Sequence, residues 1–430
     1  MQHPPGTIVP AARPMSGGLR RRAACFDTPS LNTRSLRADM RRADWIALPH
    51  CGLAAALLGA APAWAAPPAD AGSPLQLSAG VRAVHDDNLT RTPEAQSDRY
   101  LQSSALLGYA PRFSGQQLKL AAQLSHYDYD RRSDLDGSAY DLSAGWSGRL
   151  GERFGGELGR RQRRDRVDLS DAPAKDWLRQ RNDRAGLRYG IDGAFSAGLA
   201  AERVAQRHSL AERQPLDYDD RSAKADLRYR SGRGSAAKVT LAQGRRDYRI
   251  GPARSGPGTP GPAPLDYDYR ELGAEVDWQA GARTRLEAGL TRFRREDAAG
   301  TDDGTDANAS AHWAPTAKLA FDLGYALTHP ASRNDFSDPA EETVLTAAAS
   351  WQWRAKVALR ASVHANHRDY REQPAGTRAD RLLGGKLGML YQPLRTVEVD
   401  AEIGHERRDS NFDLYDYEGE IVSLGLRYRY

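Results

Sequence analysis

From Leu75 to the last residue the chain alternates apolar with polar residues, the period-two signature of strands whose two faces meet different surroundings. Leu75, Leu77, Ala79 and Val81 form one such run, and Leu118, Leu120, Ala122 and Leu124 another. Leu319, Phe321, Leu323 and Tyr325, and then Val397, Val399, Ala401 and Ile403, repeat the pattern. Helical spacing is nearly absent. The connections alternate in length. Long polar ones are expected near 85–98, 131–137, 167–181, 209–220, 251–266, 296–305, 329–341, 372–379 and 409–417, and short ones near 114–117, 151–153, 192–194, 231–235, 280–283, 314–317, 354–356 and 392–395. Nine long and eight short connections join eighteen strands. An even set of antiparallel strands, long loops at one end and short turns at the other, is the plan of an outer-membrane barrel. The predicted class is therefore all-β: a transmembrane antiparallel β-barrel of about eighteen strands, with sixteen as the alternative, over residues 75–430.

The aromatic residues give a second count. Tyr109, Trp146, Tyr189, Tyr229, Trp278, Trp313, Trp351, Tyr391 and Tyr430 recur about once per forty residues, just before each short turn or at the chain end. Amphipathic rings prefer the headgroup level, so these are expected to form an inner girdle facing lipid. An outer set is expected at the loop ends: Tyr127, Tyr129, Tyr140, Tyr248, Tyr267, Tyr269, Phe293, Tyr370 and Tyr417. A forty-residue period also suits a β-propeller, but blades need four short strands per repeat, and here there are two long ones. The final alternation, Val422, Leu424, Leu426, Tyr428 and Tyr430, resembles the signal read by outer-membrane assembly machinery.

The N-terminus changes how composition should be read. Arg41 and Arg42, the apolar stretch from Trp45 to Ala61, and Ala63-Trp64-Ala65 have the layout of a secretory signal over residues 40–65. Residues 1–39 are then expected to be a disordered extension from a mis-assigned start, and 66–74 a short periplasmic segment. Eight of the 61 basic and three of the 56 acidic residues lie before residue 66, leaving 53 of each sign, so the formal charge of +5 vanishes. Nucleic acid drops out as a partner, because counterion release needs a net cationic surface. Cys25 and Cys51 also precede residue 66, so the exported part has no disulfide framework.

With the girdle face outward, the other face carries charge of both signs. Lys119, Arg149, Arg188, Lys224, Arg228, Lys238, Glu275, Asp277, Arg285, Arg360, Lys386 and Arg427 are the pore-lining candidates, with Asp277 expected opposite Arg285 across the turn at Gly281. Such residues either satisfy a wet wall or guide a polar polymer. Arg160, Arg161, Arg163, Arg164 and Arg166 are expected just outside the apolar band, within reach of the phosphates of lipopolysaccharide. Catalytic signals are weak: His364 and His367 fall on opposite faces of a strand, and no G-x-S-x-G occurs. The reading is of a protein that is not an enzyme, with no cofactor or metal, whose partners are outer-membrane lipids and lipopolysaccharide and the assembly machinery.

Val84-His85-Asp86-Asp87-Asn88-Leu89-Thr90-Arg91, with the acidic-aromatic loop ends Tyr127-Asp128-Tyr129-Asp130, Asp266-Tyr267-Asp268-Tyr269 and Arg368-Asp369-Tyr370, resembles the β-barrel porin family that includes the exopolysaccharide biosynthesis operon protein EpsL. The resemblance implies an outer-membrane channel for exopolysaccharide biosynthesis and export, with a polysaccharide and its export complex as partners. The alternatives are a general or substrate-selective diffusion porin and a non-conducting surface-binding or structural barrel. Chemically, Asp86, Asp87 and Asn88 suit a divalent cation or, better, an Asx turn leaving the first strand.

Overall fold

The computed structural model describes residues 74–169, 174–249, 266–298, 300–330, 340–370 and 376–430. The expected signal, the extension before it and nearly all of the 251–266 loop lie outside these residues.

Among the described residues the strands are β1 (Leu75–Asp86), β2 (Asp98–Tyr109), β3 (Arg112–Phe113), β4 (Gln116–Tyr129), β5 (Gly137–Leu150), β6 (Phe154–Arg166), β7 (Trp177–Tyr189), β8 (Phe195–His208), β9 (Tyr218–Arg230) and β10 (Ala236–Tyr248). They continue with β11 (Tyr267–Gly281), β12 (Thr284–Asp297), β13 (Gly300–Trp313), β14 (Leu319–Thr328), β15 (Glu341–Arg354), β16 (Val357–Asp369), β17 (Ala379–Leu394), β18 (Val397–Ser410) and β19 (Tyr417–Arg429). The two-residue β3 is a ribbon inside the first short turn, which leaves eighteen full strands. Each pairs antiparallel with its neighbours in sequence, and β1 closes on β19 with Ser78 opposite Arg429 and Asp86 opposite Ile421. The fold is a closed eighteen-stranded barrel, as the alternation of loops predicts, and the sixteen-strand alternative falls.

Closure leaves no sheet edge, so every strand can satisfy its backbone in lipid. The alternation then sorts side chains. Leu199 and Leu424 stand 65% and 60% exposed on the outside, while Arg427, three residues after Leu424, is 6% exposed and faces inward. At the first short turn Ser114 and Gly115 take φ of +45° and +76°, the left-handed pair that matches the twist of a two-residue hairpin.

One expected loop is absent. The segment 296–305 reads as a loop because it is rich in Asp, Gly and Thr. In the structure β12 runs to Asp297 and β13 starts at Gly300, with Asp302 opposite Arg295 and Asp303 opposite Arg294. These strands extend beyond the apolar band, where both faces are polar and the alternation that marks a membrane strand disappears.

Candidate functional site

The lumen is built from the polar half of the alternation. Each charged residue expected to line it projects from the face opposite its apolar neighbours: Arg188 sits between exposed Leu187 and Tyr189, Arg427 between Leu426 and Tyr428. Most are tied across strands. Arg188 reaches Asp226 at 2.8 Å, Lys224 reaches Glu202 at 2.8 Å, and Lys238 reaches Glu275 at 2.9 Å. Lys386 pairs with Glu402 at 3.5 Å and Arg427 with Glu398 at 3.5 Å, while Arg149 holds Asp192 at 2.5 Å near the short-turn end. Arg228 also faces inward, from between Leu227 and Tyr229. Lys119 and Arg360 face inward without an ion-pair partner among the described residues.

The expected register at Gly281 needs correction. Asp277 lies opposite Glu287, and Arg285 opposite Gln279, because the strands close at Gly281 and Thr284, so the turn is centred on residues 282 and 283 and not on Gly281. Arg285 nevertheless bridges diagonally to Asp277 at 2.8 Å and to Glu287 at 2.9 Å. Sequence reasoning also missed Arg82, which spans β19 to reach Asp400 at 2.5 Å; its position between outward Val81 and Ala83 was the available signal.

The arginine run on β6 divides by parity and does not act as one patch. Arg160 and Arg164 point outward, whereas Arg161 turns inward to pair with Asp141. Arg160 also stands only six residues from Phe154 at the short-turn end of β6, lower on the wall than Arg164.

At the loop end the first three long loops meet. Leu89, Leu135 and Leu169, from the first three long loops, pack together on Tyr129, with Tyr100 and Tyr127 against the cluster; Leu135 is fully buried. The tyrosines face inward at the tops of β2 and β4, so these loops fold over one side of the lumen. Burial alone would hold the Asp176 carboxylate high, but hydrogen bonds from His208 at 2.6 Å and from the Leu210 and Ser209 amides outweigh it and keep the carboxyl below its usual range.

The Asp86-Asp87-Asn88 run makes an Asx turn. The Asn88 amide donates to Asp86 Oδ1 at 3.1 Å, and Arg91 grips the same carboxylate at 2.7 and 2.9 Å. Asn88 Nδ2 donates to the Glu418 carbonyl at 2.9 Å, and Asp87 accepts from the Glu420 amide at 2.6 Å. The run thus clamps the top of β1 to β19. His364 faces the lumen and contacts Glu406 at 3.2 Å, while His367, outward, contacts Asp369 at 3.3 Å. Among the described residues no cluster of His, Cys, Asp or Glu has metal-binding geometry.

Tyr109, Tyr189, Tyr229, Trp278, Trp313, Trp351, Tyr391 and Tyr430 stand exposed on the outer wall at or near the short-turn end, with Trp146 half-buried among them. The outer set does not mirror them. Tyr127, Tyr129, Tyr248, Tyr267, Tyr269, Phe293 and Tyr417 have inward parity, and only Tyr140 has outward parity among the strand members. Their burial has two causes. Phe293 lies over Gly304 on the next strand, where an added Cβ would come within 2.6 Å of the ring, and Tyr269 covers Gly244 in the same way. Arginines cover the rings: Arg246 lies 4.0 Å from Tyr218, Arg295 3.9 Å from Phe293, and Arg378 4.2 Å from Tyr370.

A closed barrel with an alternating apolar belt, a charged inner wall and inward-folded loops is the architecture of outer-membrane porins. Residues 270–430, the last nine strands, match the family model described as "Putative beta-barrel porin 2". Among solved structures the chain is similar to the outer membrane protein OpdK of Pseudomonas aeruginosa, with a TM-score of 0.50 and 12% identity over 83% of this chain and 99% of that one. It is likewise similar to a BenF-like porin of Pseudomonas fluorescens, with a TM-score of 0.50 and 12% identity over 83% of this chain and 98% of the other. At such identities the likeness is one of fold. No curated protein sequence matches the chain.

Proposed function

We propose that the chain forms a water-filled channel for passive diffusion of small polar solutes across the outer membrane. The observation that carries this reading is the exposure of charged groups on the inner wall: Glu275 and Asp322 are each 55% exposed and Glu287 46%. Charges so placed have not been packed into a dry core, and barrels of this strand number leave an aqueous lumen. Both signs line the wall, so the expected channel discriminates weakly by charge and chiefly by size at the mouth. The test is conductance of the refolded barrel in a planar bilayer. Steady single-channel steps, with the cation-to-anion preference moved toward cations by Lys119→Glu together with Arg360→Glu, support the reading. A barrel that never conducts supports the non-conducting alternative.

Polysaccharide export rests on the sequence resemblance alone. The motif residues that carry it, Asp86 to Asn88, are engaged in clamping β1 to β19, and the matched family is described without reference to a polymer. A deletion strain that traps its exopolysaccharide in the periplasm while small-solute uptake is unchanged would favour export over diffusion.

A further inference from the structure

The outer wall is uneven. On β1 the outward residues Leu75, Leu77, Ala79, Val81 and Ala83 give an apolar run of about 26 Å along the strand. On β6 only Phe154, Gly156 and Leu158 precede Arg160, a run of about 13 Å. On β7 the apolar run from Tyr189 ends equally early, at Asp183. Arg160 pairs with Asp183 at 2.5 Å, and Arg181 reaches the same carboxylate at 2.6 Å. Charge therefore begins here at a depth that is hydrocarbon on β1. Even as an ion pair, charge set against hydrocarbon is costly, so bulk acyl chains are a poor neighbour for this face.

The same face is hollowed. A depression of about 870 Å³ has Arg160, Arg203 and Arg221 along its upper side, with the Asp183 carboxylate beside Arg160, and Trp146, Leu158 and Ala201 below. It adjoins a larger apolar one of about 1370 Å³, lined by Leu187, Leu199, Ala225, Leu241 and Leu272 among others. Guanidinium groups above and an apolar trough beneath match the order of a lipid, headgroup above chains. The outward residues of β6 to β9 include Arg160, Arg164, Arg179, Arg181, Arg203, Arg207 and Arg221 against only Asp183 and Asp219. That excess sets like charge against like charge across a two-fold axis, which disfavours a second copy and favours a polyanion.

We propose that this face binds an anionic, multiply acylated glycolipid of the outer leaflet, with its phosphates on Arg160, Arg203 and Arg221 and its acyl chains in the two hollows. Guanidinium forks suit phosphate oxygens. Of the three, Arg221 is exposed and has no ion-pair partner among the described residues, while Arg203 is 52% exposed and holds Asp219 only at 3.4 Å. Bound phosphates would bring the polar surface of the membrane down to meet the short apolar run.

The test is native mass spectrometry of the detergent-solubilised barrel titrated with hexa-acyl diphosphoryl lipid A, with the same lipid stripped of both phosphates, and with inorganic phosphate. Wild type should bind the diphosphoryl lipid at least about tenfold more tightly than the stripped one and should not retain inorganic phosphate. The double variant Arg203→Gln/Arg221→Gln should lose most of that preference, while Arg381→Gln, outward on the opposite flank, should keep it. Equal affinity for both lipids, retention of free phosphate, or wild-type binding by the double variant overturns the proposal. So does a dimer that the double variant abolishes, which would make the face a subunit interface. Should the double variant not reach the heat-modifiable folded form, the wild-type comparison of the two lipids decides by itself.

Discussion

The two ends of the barrel use aromatic residues for opposite purposes. At the short-turn end the rings are solvent- or lipid-facing anchors, as with Trp278 at 54% exposure and Tyr189 at 47%. At the loop end most turn inward, cover glycines or lie under arginines, and the deepest are nearly inaccessible: Phe293 is 2% exposed and Tyr129 4%. One end positions the barrel in the bilayer; the other packs loops against the strand tops. Aromatic enrichment near both interfaces therefore does not by itself define two girdles, because parity along each strand decides which side a ring serves.

The comparison can be broken by substitution, starting with the largest effect. Tyr430 lies at the short-turn end, and its backbone joins β1 through hydrogen bonds with Leu77 at 2.9 and 3.4 Å. Tyr430→Asp should lower the amount of folded barrel in the membrane by roughly an order of magnitude, because a charge replaces the outward ring at the closing strand. Heat-modifiable protein in membrane fractions is the readout, and normal levels would remove Tyr430 from the assembly signal. Phe293→Ala should destabilise the folded barrel by about 3–5 kcal/mol, the usual cost of emptying a buried phenyl site. Denaturant unfolding in detergent measures it; a loss below about 1 kcal/mol would mean that the inward rings are not structural. Trp278→Ala should cost only about 1 kcal/mol, since the ring is half exposed and contributes through the interface. A larger loss than that of Phe293→Ala would invert the assignment of the two ends.

The smallest effect concerns pH at the mouth. Because the folded Asp176 carboxyl lies below its usual range, its contacts with His208, Ser209 and Leu210 add stability that is fully present above the ordinary carboxylate value. That contribution is lost as the pH falls through the depressed folded value. Hydrogen exchange of the Ser209 and Leu210 amides should stay slow from pH 7 to 5 and accelerate only under stronger acid. Loss of protection within that range would remove Asp176 as the group that holds these amides.

Strand number, closure and facing were legible because a two-faced wall imposes period two on every membrane-crossing segment. Arg188 and Arg427 could be placed inward from their neighbours alone. Three features could not be read in the same way. The turn after Gly281 is centred on residues 282 and 283, and no side-chain pattern fixes the centre of a tight turn to one residue. The segment from Gly300 to Asp306 has the composition of a loop because strands outside the bilayer have no lipid face to satisfy. The packing of Leu89, Leu135 and Leu169 joins residues far apart in sequence, and single leucines in polar loops carry no periodic signal. The inward rings were legible in the same way as the charges, since the parity of Tyr127 and Tyr129 matches that of Lys119.

The clamp between the first and last strands also sets a timetable. Arg82 donates to Ser423, 341 positions away, and Asp87 accepts from Glu420, 333 positions away. Contacts of such separation form late, because nearly the whole chain must be in place before they gain anything. A ribosome that has yet to make the final hairpin has produced no closable object, only a sheet with two bare edges. Closure of the barrel therefore waits on the last strand, whatever the order in which the earlier hairpins form.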